Sequence, residues 1–187
     1  MSEVRLLKPD LATLPAYKAA LERGWSPDNL RGAIAAKEQL AKIAADPQGF
    51  VASMDDLEAK GGDVILPDGA EAPRLPGFQR WIWDGEFCGS IGFRWQPGSS
   101  SLPDYVMGHI GYAVVPWKQH RGCATAALRL MLLQARAFGL DHVEITTTED
   151  NPASQRVILA NGGVFDCAFE KSPHHGRGQA LRYRIVL

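Results

Sequence analysis

Residues 108–128 read GHIGYAVVPWKQHRGCATAAL, and this stretch decides the fold. Its first half is apolar and predicts a strand over 109–115, which Pro116 ends because proline cannot donate to a strand ladder. Its second half predicts an amphipathic helix over 124–135, since small and apolar residues recur there at helical spacing, and Gly139 ends the helix. A polar turn around Gly122 therefore joins a buried strand to a helix.

The turn between this strand and this helix predicts an anion site. The first turn of a helix leaves backbone N–H groups without partners, and Gly122 allows a ligand to approach them closely. Lys118, His120 and Arg121 add local positive charge. Two other interpretations stay open from the residues alone. Gly122 is a turn residue beside a solvated basic rim, or the turn belongs to a dinucleotide-binding fold, although the G-x-G-x-x-G fingerprint is absent.

Several short motifs resemble the GNAT superfamily of acyl-CoA-dependent N-acyltransferases. Residues 119–124, QHRGCA, fit its Q/R-x-x-G-x-G/A signature. Residues 151–154, NPAS, are similar to its N-x-x-S/A helix start, and residues 161–165, NGGVF, to the segment that follows that helix. Residues 108–112, GHIGY, resemble more narrowly a bacterial subgroup of predicted acetyltransferases.

This resemblance implies a mixed α/β fold, the GNAT fold, with a central, mixed but mostly antiparallel sheet of about six or seven strands and helices on both faces. It implies one domain over residues 1–187. Within it, residues 108–165 would form the acyl-CoA-binding core, and residues 28–76 would hold a helix and an irregular insertion. It also implies a homodimer, because exposed sheet edges in this family often pair.

The resemblance further implies transfer of an acetyl group from acetyl-CoA to a primary amine by direct attack, with a small molecule or a peptide as the acceptor. The pantetheine would run along the strand end, the pyrophosphate would lie on the amides of the turn, and a backbone N–H near Val114 would polarise the thioester carbonyl. The residues expected to bind acetyl-CoA are Val114, Val115, Gln119, His120, Arg121, Gly122, Cys123, Ala124, Thr125, Asn151 and Ser154.

The sequence departs from the family where many relatives place acid and base groups. Ile158 stands where many carry a tyrosine that resembles a general acid, and no glutamate lies on residues 108–115, where some members place a general base. A base matters most for a lysine-type amine, which costs roughly 4.6 kcal/mol to deprotonate at pH 7, whereas an α-amine costs only about 1–1.4 kcal/mol. An acceptor amine of low pKa, or a water-relayed base, is therefore favoured.

Four other residues are the catalytic candidates. His109 and Asp104 are candidate bases or relays, and Tyr112 and Ser154 are the hydroxyls available to assist the leaving thiolate. Each also has an ordinary structural interpretation: a strand-edge hydrogen bond for His109, a turn for Asp104, sheet packing for Tyr112 and a local backbone contact for Ser154.

Arg94 and Trp117 are the candidate substrate-binding residues. Arg94 would meet an acidic group of the substrate, and Trp117 would cover the cofactor or the substrate mouth. No metal site is predicted, since the adjacent His174 and His175 lack further ligands. Cys123 is not a predicted nucleophile, because it lies in the phosphate turn with no base nearby in the sequence.

Composition limits the remaining function classes. The chain has 187 residues, 20 Lys and Arg against 21 Asp and Glu, and a net charge of −1, which does not favour a nucleic-acid partner. Its 3 cysteines have no C-x-x-C spacing and indicate a reducing compartment. No segment approaches the roughly 18 apolar residues of a membrane span, so a cytoplasmic protein without a membrane partner is expected.

Outward from the central stretch, periodicity and turn signals predict the remaining elements. Helices are expected over 11–23 and about 28–45, the second capped by Ser26 with Leu30, Ile34, Ala41 and Ala44 facing inward. A short helix near 54–59 is expected inside an irregular connection over 48–76. Strands are expected over 4–7, 78–83, 87–95, 143–145, 164–169 and 180–187, the last two separated by residues 174–178, and a helix is expected to open at Asn151.

Two functions of other classes stay open. A non-catalytic acyl-CoA-binding or regulatory module would bind acetyl-CoA without turnover. A nucleotide- or dinucleotide-binding enzyme would bind NAD or ATP and not coenzyme A. One panel of these ligands separates all three functions.

Overall fold

A computed structural model of the chain describes residues 3–66, 68–175 and 178–187. The helices are α1 (Leu14–Glu22), α2 (Gly32–Ala45), α3 (Pro47–Ala52), α4 (Cys123–Ala135) and α5 (Pro152–Leu159). The strands are β1 (Arg5–Leu7), β2 (Asp55–Asp56), β3 (Val64–Ile65), β4 (Glu71–Ala72), β5 (Gly77–Trp83), β6 (Phe87–Arg94), β7 (Ile110–Val114), β8 (His142–Thr147), β9 (Val164–Glu170) and β10 (Gln179–Val186).

The strands form two antiparallel sheets that meet at β7 and β8. The first sheet has the order β1-β5-β6-β7, with β2 also pairing with β5, and the second has the order β8-β10-β9. Strands β3 and β4 make a separate small hairpin. The predicted mixed α/β fold with a mostly antiparallel sheet is confirmed, and the structure adds that this sheet is divided in two.

Each face of the first sheet packs against helices, because its strands alternate apolar side chains between the two faces. Ile82, Ile91 and Phe93 point toward α4 and belong to the larger apolar core. Trp81 points to the other face, where its ring stacks on Tyr17 of α1 with centroids 5.0 Å apart. The predicted placement of helices on both faces is therefore confirmed.

Helix α2 differs from its prediction in its start and in its buried face. It begins at Gly32, because Asp28 Oδ1 accepts the N–H groups of Leu30 and Arg31 and closes a turn before the helix. Its buried positions are Ala35, Ala36 and Ile43. The prediction that Leu30, Ile34, Ala41 and Ala44 face inward is wrong, since all four are exposed. Their spacing was helical, but the helix packs with an adjacent stripe of its surface.

The insertion is more ordered than its sequence suggests. A helix forms at α3 rather than over the predicted 54–59, because Asp46 caps it by accepting the N–H of Gly49 and Pro47 occupies its first turn. Asp55 and Asp56 instead pair with β5. Pro67, within the predicted 48–76 connection, lies outside the described residues.

The two strands predicted at the end of the chain form as β9 and β10, which pair with each other antiparallel. Of the predicted connection over 174–178, Gly176 and Arg177 lie outside the described residues. None of the described helices combines the length and the apolarity that crossing a membrane would require.

Candidate functional site

A cleft opens where the two sheets diverge. At its closed end the strands touch: the His109 N–H donates to the Glu144 carbonyl at 2.8 Å, and a Cβ on Gly108 would lie 3.0 Å from that same oxygen. Beyond this point the described residues of β7 and β8 form no ladder. The resulting cleft has a volume of about 1460 Å³. This exceeds the roughly 300–1,000 Å³ of an ordinary small-molecule site, so the cleft has room for two ligands.

One wall of the cleft is the free edge of β7. The carbonyls of Tyr112 and Val114 accept from the side chains of Asn29, at 3.4 Å, and Gln119, at 3.3 Å, rather than from another strand. Val115, by contrast, donates its N–H to Cys88 on β6. Because successive residues of a strand direct their backbone groups to opposite sides, the Val114 N–H belongs to the same open edge as its carbonyl. An extended ligand can therefore add to this edge as a further strand would.

The turn after β7 presents a second set of free amides to the cleft. His120 and Gly122 have positive φ angles of 59° and 77°, which fold the chain tightly before α4. The first intrahelical bond of α4 joins the Ala126 N–H to the Gly122 carbonyl. Among the described residues, no backbone carbonyl accepts the N–H groups of Gly122–Thr125. Space around Gly122 is open, with nothing within 4 Å of a Cβ built there. These features fit a diphosphate held by main-chain donors.

The structure brings most of the predicted cofactor residues to this one cleft. Those that line it are Val114, Gln119, His120, Gly122, Cys123, Ala124, Thr125, Asn151 and Ser154. Val115 is wholly buried, and Arg121 lies on a smaller neighbouring cavity of about 480 Å³. Neither of these two side chains faces the main cleft.

Lys118 does not supply the free positive charge expected from the sequence. Its ammonium lies 2.9 Å from Asp84 Oδ1 and 2.9 Å from Glu86 Oε2, both on the β5–β6 turn. These hydrogen bonds to Glu86 and Asp84 raise the pKa of Lys118, so its ammonium stays protonated. Its positive charge is already balanced by the two carboxylates. The positive charge that remains at the turn is therefore that of Arg121, which is exposed.

Cys123 is part of a small buried cluster behind the turn. The ligand atoms of Asp84, Cys88 and Cys123 lie within 4.8 Å of one another, and both thiols are buried. Burial, with the neighbouring Asp84 carboxylate, raises the pKa of Cys88, which keeps this thiol protonated. Lys118 is the cation that already pairs with Asp84. Expectations of no metal and no cysteine nucleophile stay predictions.

Two of the predicted catalytic residues meet across the cleft. The Tyr112 hydroxyl lies 2.9 Å from Ser154 Oγ, which joins β7 to the first turn of α5. Burial raises the pKa of Tyr112, so its hydroxyl keeps its proton at neutral pH. Asn151 caps α5 by accepting the Ser154 N–H at 3.1 Å. This fixes the start of the helix and leaves the Asn151 amide NH₂ for another partner.

The other two predicted catalytic residues are not brought to the cleft. His109 is fully buried, and its Nδ1 accepts the Glu144 N–H at 2.9 Å, so its ring replaces a missing ladder partner between the sheets. Burial lowers the pKa of His109 to about 4. Asp104 is exposed in the loop before β7 and does not line the cleft. The structure therefore does not support either residue as a base at this site.

Of the two predicted substrate-binding residues, one lines the cleft and the other does not. Arg94, on β6, lines the cleft, and its guanidinium lies 3.6 Å from a Cβ built on Gly111. Trp117 does not line it. Its ring packs against the apolar core on the α1 side of the first sheet, and the Arg23 guanidinium lies 3.5 Å from the ring centre.

Sequence reasoning missed several residues that line the cleft. Thr146, Thr147 and Thr148 form its β8 wall, and Thr147 Oγ1 is buried without a partner among the described residues. A run of threonines at the end of a strand is a usable signal, because loops after strands often carry binding residues. The α1–α2 connection also lines the cleft at 24–30, where the sequence indicated only a helix cap.

Comparison with known families and structures points to one fold. Residues 29–164 match the model of the Acetyltransferase (GNAT) domain. No curated protein matches the chain in sequence.

Among solved structures, the microcin C7 self immunity acetyltransferase MccE, in complex with acetyl-CoA and AMP, is 13% identical. The alignment covers 100% of this chain and 94% of that one, with a TM-score of 0.63. An acetyl transferase from Salmonella typhimurium that modifies the N-terminal serine of ribosomal protein L7/L12 is 16% identical, with coverage of 100% and 96% and a TM-score of 0.64. RimL, the ribosomal L7/L12 alpha-N-protein acetyltransferase, in complex with coenzyme A, is 15% identical, with coverage of 100% and 96% and a TM-score of 0.63.

Proposed function

This chain belongs to the GNAT acetyltransferase family, and from that premise we propose that it transfers the acetyl group of acetyl-CoA to a primary amine. The observation that carries the proposal is the continuity of one cleft. The open β7 edge at Val114 and the free amides of Gly122–Thr125 line the same cavity as a second, separate set of polar side chains around Arg94.

Acetyl-CoA, when bound, supplies an activated acetyl group whose C–S bond is exchanged for a C–N bond to the acceptor. The amine nitrogen provides the electron pair of the new bond and releases its proton to water, and the thiolate departs with the electron pair of the old bond. The Val114 N–H would donate to the acetyl carbonyl oxygen as negative charge develops there, a contact of the kind worth about 3 kcal/mol. The main-chain donors of the turn would hold the diphosphate.

Tyr112 and Ser154 would supply a proton to the leaving thiolate. Their hydroxyls are within hydrogen-bond distance of each other at the strand where the thioester would lie. Because burial keeps Tyr112 protonated, it can donate at neutral pH. Assistance of this kind is useful but small, since a thiolate is a stable leaving group.

An amine of low pKa is the acceptor type that the site favours. Neither His109 nor Asp104 reaches the cleft, so the site relies less on a strong base of its own. An α-amine needs about 3 kcal/mol less than a lysine side chain to become neutral at pH 7. Two of the similar structures are described as acting on an N-terminal amine, which supports testing α-amines first.

The experiment is a ligand and acceptor panel with a matched pair of variants. Acetyl-CoA, and not NAD or ATP, should raise the melting temperature, and thiol release should appear with α-amine acceptors. Gly122→Trp should abolish the shift, because its side chain fills the open approach to the amides. Arg121→Gln should retain most of the shift, because that side chain does not line the cleft. If acetyl-CoA gives neither stabilisation nor thiol release, the proposal is wrong.

A non-catalytic acyl-CoA-binding role is the second candidate. The placement of His109 and Asp104 outside the cleft favours it, since neither predicted base is available there. Stabilisation by acetyl-CoA without thiol release from any amine would identify this role.

A further inference from the structure

The part of the cleft away from the acetyl-CoA turn is built on a floor without side chains. Gly92 of β6 and Gly111 of β7 pair directly across the sheet. Gln79 lies over Gly92, since a Cβ built there would come within 2.4 Å of its side-chain nitrogen. The Arg94 guanidinium extends over Gly111. The two glycines therefore leave a notch in the sheet whose sides are the Gln79 amide and the Arg94 guanidinium.

The charges around this notch are unbalanced. Among the described residues, the Lys and Arg side chains that line the cleft are Arg94, Lys118, Arg156 and Lys171, whereas Asp28 is the one carboxylate that does so. Lys118 is neutralised by the β5–β6 turn, but no carboxylate of the described residues lies within 4 Å of the other three cations. Arg156 lies on α5, beside the acetyl-CoA end, so Arg94 and Lys171 are left for a different anion.

Arg94 and Lys171 line the same cleft. Asn29, the residue after Asp28, donates to the carbonyl of Tyr112, the neighbour of Gly111, at 3.4 Å. Asp28 therefore faces the same end of the cleft.

Buried donors without acceptors lie on the same face of the sheet. Trp25 and Trp81 both line the cleft and are 6% and 0% exposed. The indole Nε1 of each has no partner among the described residues. Buried N–H donors are nearly always satisfied, so a water or a ligand oxygen at this face would complete these two.

Resting on the proposed function, we propose that the notch formed by Gly92 and Gly111 binds an anionic group of the acceptor amine, a carboxylate or a phosphate, with Arg94 as its main partner and Lys171 as its second. The acceptor is thus an amine that also carries an acid, rather than a simple cationic amine such as a polyamine.

The strand geometry sets the separation between the two groups. Arg94 lies over Gly111, and Val114 is three residues further along β7, which corresponds to about 10 Å. An extended peptide spans at most about 3.3–3.6 Å per residue, so the amine and carboxylate of a single amino acid are too close together, whereas those of a tripeptide fit. The structure therefore favours tripeptide-sized acceptors over free amino acids and dipeptides.

The test compares acceptors that share an α-amine and differ only in the distal group. Triglycine against triglycine amide tests the carboxylate, and triglycine against glycine tests length. Glycyl-ethanolamine phosphate against glycyl-ethanolamine tests the phosphate, and comparing the two charge effects shows which anion is preferred. For the acceptor that carries the preferred anion, the wild-type protein should show a kcat/KM about ten- to a hundredfold above that for its neutral counterpart. Arg94→Gln should lower kcat/KM for the acidic acceptor far more than for its neutral counterpart, mainly by raising KM, and should retain the affinity for acetyl-CoA. Arg94→Lys should restore part of the preference for the acidic acceptor.

Arg129→Gln is the matched control, because Arg129 is an exposed arginine of α4 that does not line the cleft. Equal kcat/KM for acid and amide in the wild-type protein would overturn the inference, as would an equal loss for both acceptors in Arg94→Gln.

Calorimetry gives a readout that does not require turnover. N-acetyl-triglycine should bind more tightly than its amide, with and without coenzyme A, and Arg94→Gln should abolish the difference. If acetyl-CoA neither binds nor reacts, the proposed function fails, and the same calorimetry still decides whether the anion site exists. Acetylation of neutral and acidic amines alike, with no difference in binding, would leave the proposed function standing and remove this inference.

Discussion

The placement of His109 makes a quantitative prediction about acid stability. Its ring is buried between the two sheets and accepts the Glu144 N–H through Nδ1, an arrangement that requires an unprotonated Nδ1. Burial lowers its pKa from 6.5 to about 4. The folded state therefore binds a proton less readily than the unfolded state. The contribution of His109 to stability is complete above pH 6.5 and is lost as the pH falls toward 4.

The magnitude follows from the two pKa values. A difference of about 2.5 pKa units corresponds to about 3 kcal/mol of unfolding free energy in total. At pH 5 the unfolded histidine is almost fully protonated and the folded one is not, so about 2 kcal/mol should already be lost relative to pH 7.5. Other groups titrate in the same range, and a matched variant must remove their effect.

The assay is urea unfolding at a series of pH values for the wild-type protein and for His109→Asn, whose side-chain oxygen can accept the same N–H. The variant should lose about 2 kcal/mol less than the wild-type protein between pH 7.5 and 5. Its pH profile of kcat/KM for acetyl transfer should keep the wild-type shape, because His109 does not reach the cleft. Identical pH dependence of stability in the two proteins would refute the burial argument. If the pH dependence of kcat/KM near neutral pH disappears in the variant, His109 acts as a base after all.

Two further predictions concern the cleft and the turn beside it. Tyr112→Phe removes the hydroxyl that lies 2.9 Å from Ser154 Oγ, and should lower kcat for thiol release while reducing stability by only about 1 kcal/mol; an unchanged kcat would assign Tyr112 to packing alone. Lys118→Met leaves Asp84 without its cation and should cost about 2 kcal/mol in urea unfolding, less than for a fully buried pair because Asp84 keeps some solvent contact. The same variant should still be stabilised by acetyl-CoA. If it unfolds at the same urea concentration as the wild-type protein but is no longer stabilised by acetyl-CoA, Lys118 binds the phosphates instead.

The position of the turn proposed to bind acetyl-CoA was largely predictable from the sequence. Its donors are backbone groups of one continuous segment, and a strand, a turn with Gly122 and a helix start specify their positions locally. The Asn151 cap is equally local, since it acts within one helical turn. These predictions required only short-range rules about which backbone groups lack partners.

The acceptor side was predictable only in part. Arg94 was identified by its residue type, but its neighbours Asp28 and Lys171 come from connections far away in the chain. The helix pattern around Leu30 and Ile34 was misread because periodicity shows that a helix has an apolar stripe without showing which stripe packs. The prediction that His109 is a base was made because a residue at the start of this strand can face either side of the sheet. Only the contact with β8 shows that its ring is buried between the two sheets.

By itself, the sequence determined the mixed α/β fold, the strand–turn–helix unit around Gly122 and the family to which these motifs point. Each rests on interactions between residues close together in the chain, or on the alternation of one strand. Only the tertiary structure decided that His109 closes the junction of the two sheets, that Lys118 is already paired, and that Tyr112 meets Ser154. Those outcomes depend on contacts between residues tens of positions apart, which arise from the packing of whole elements rather than from any local pattern.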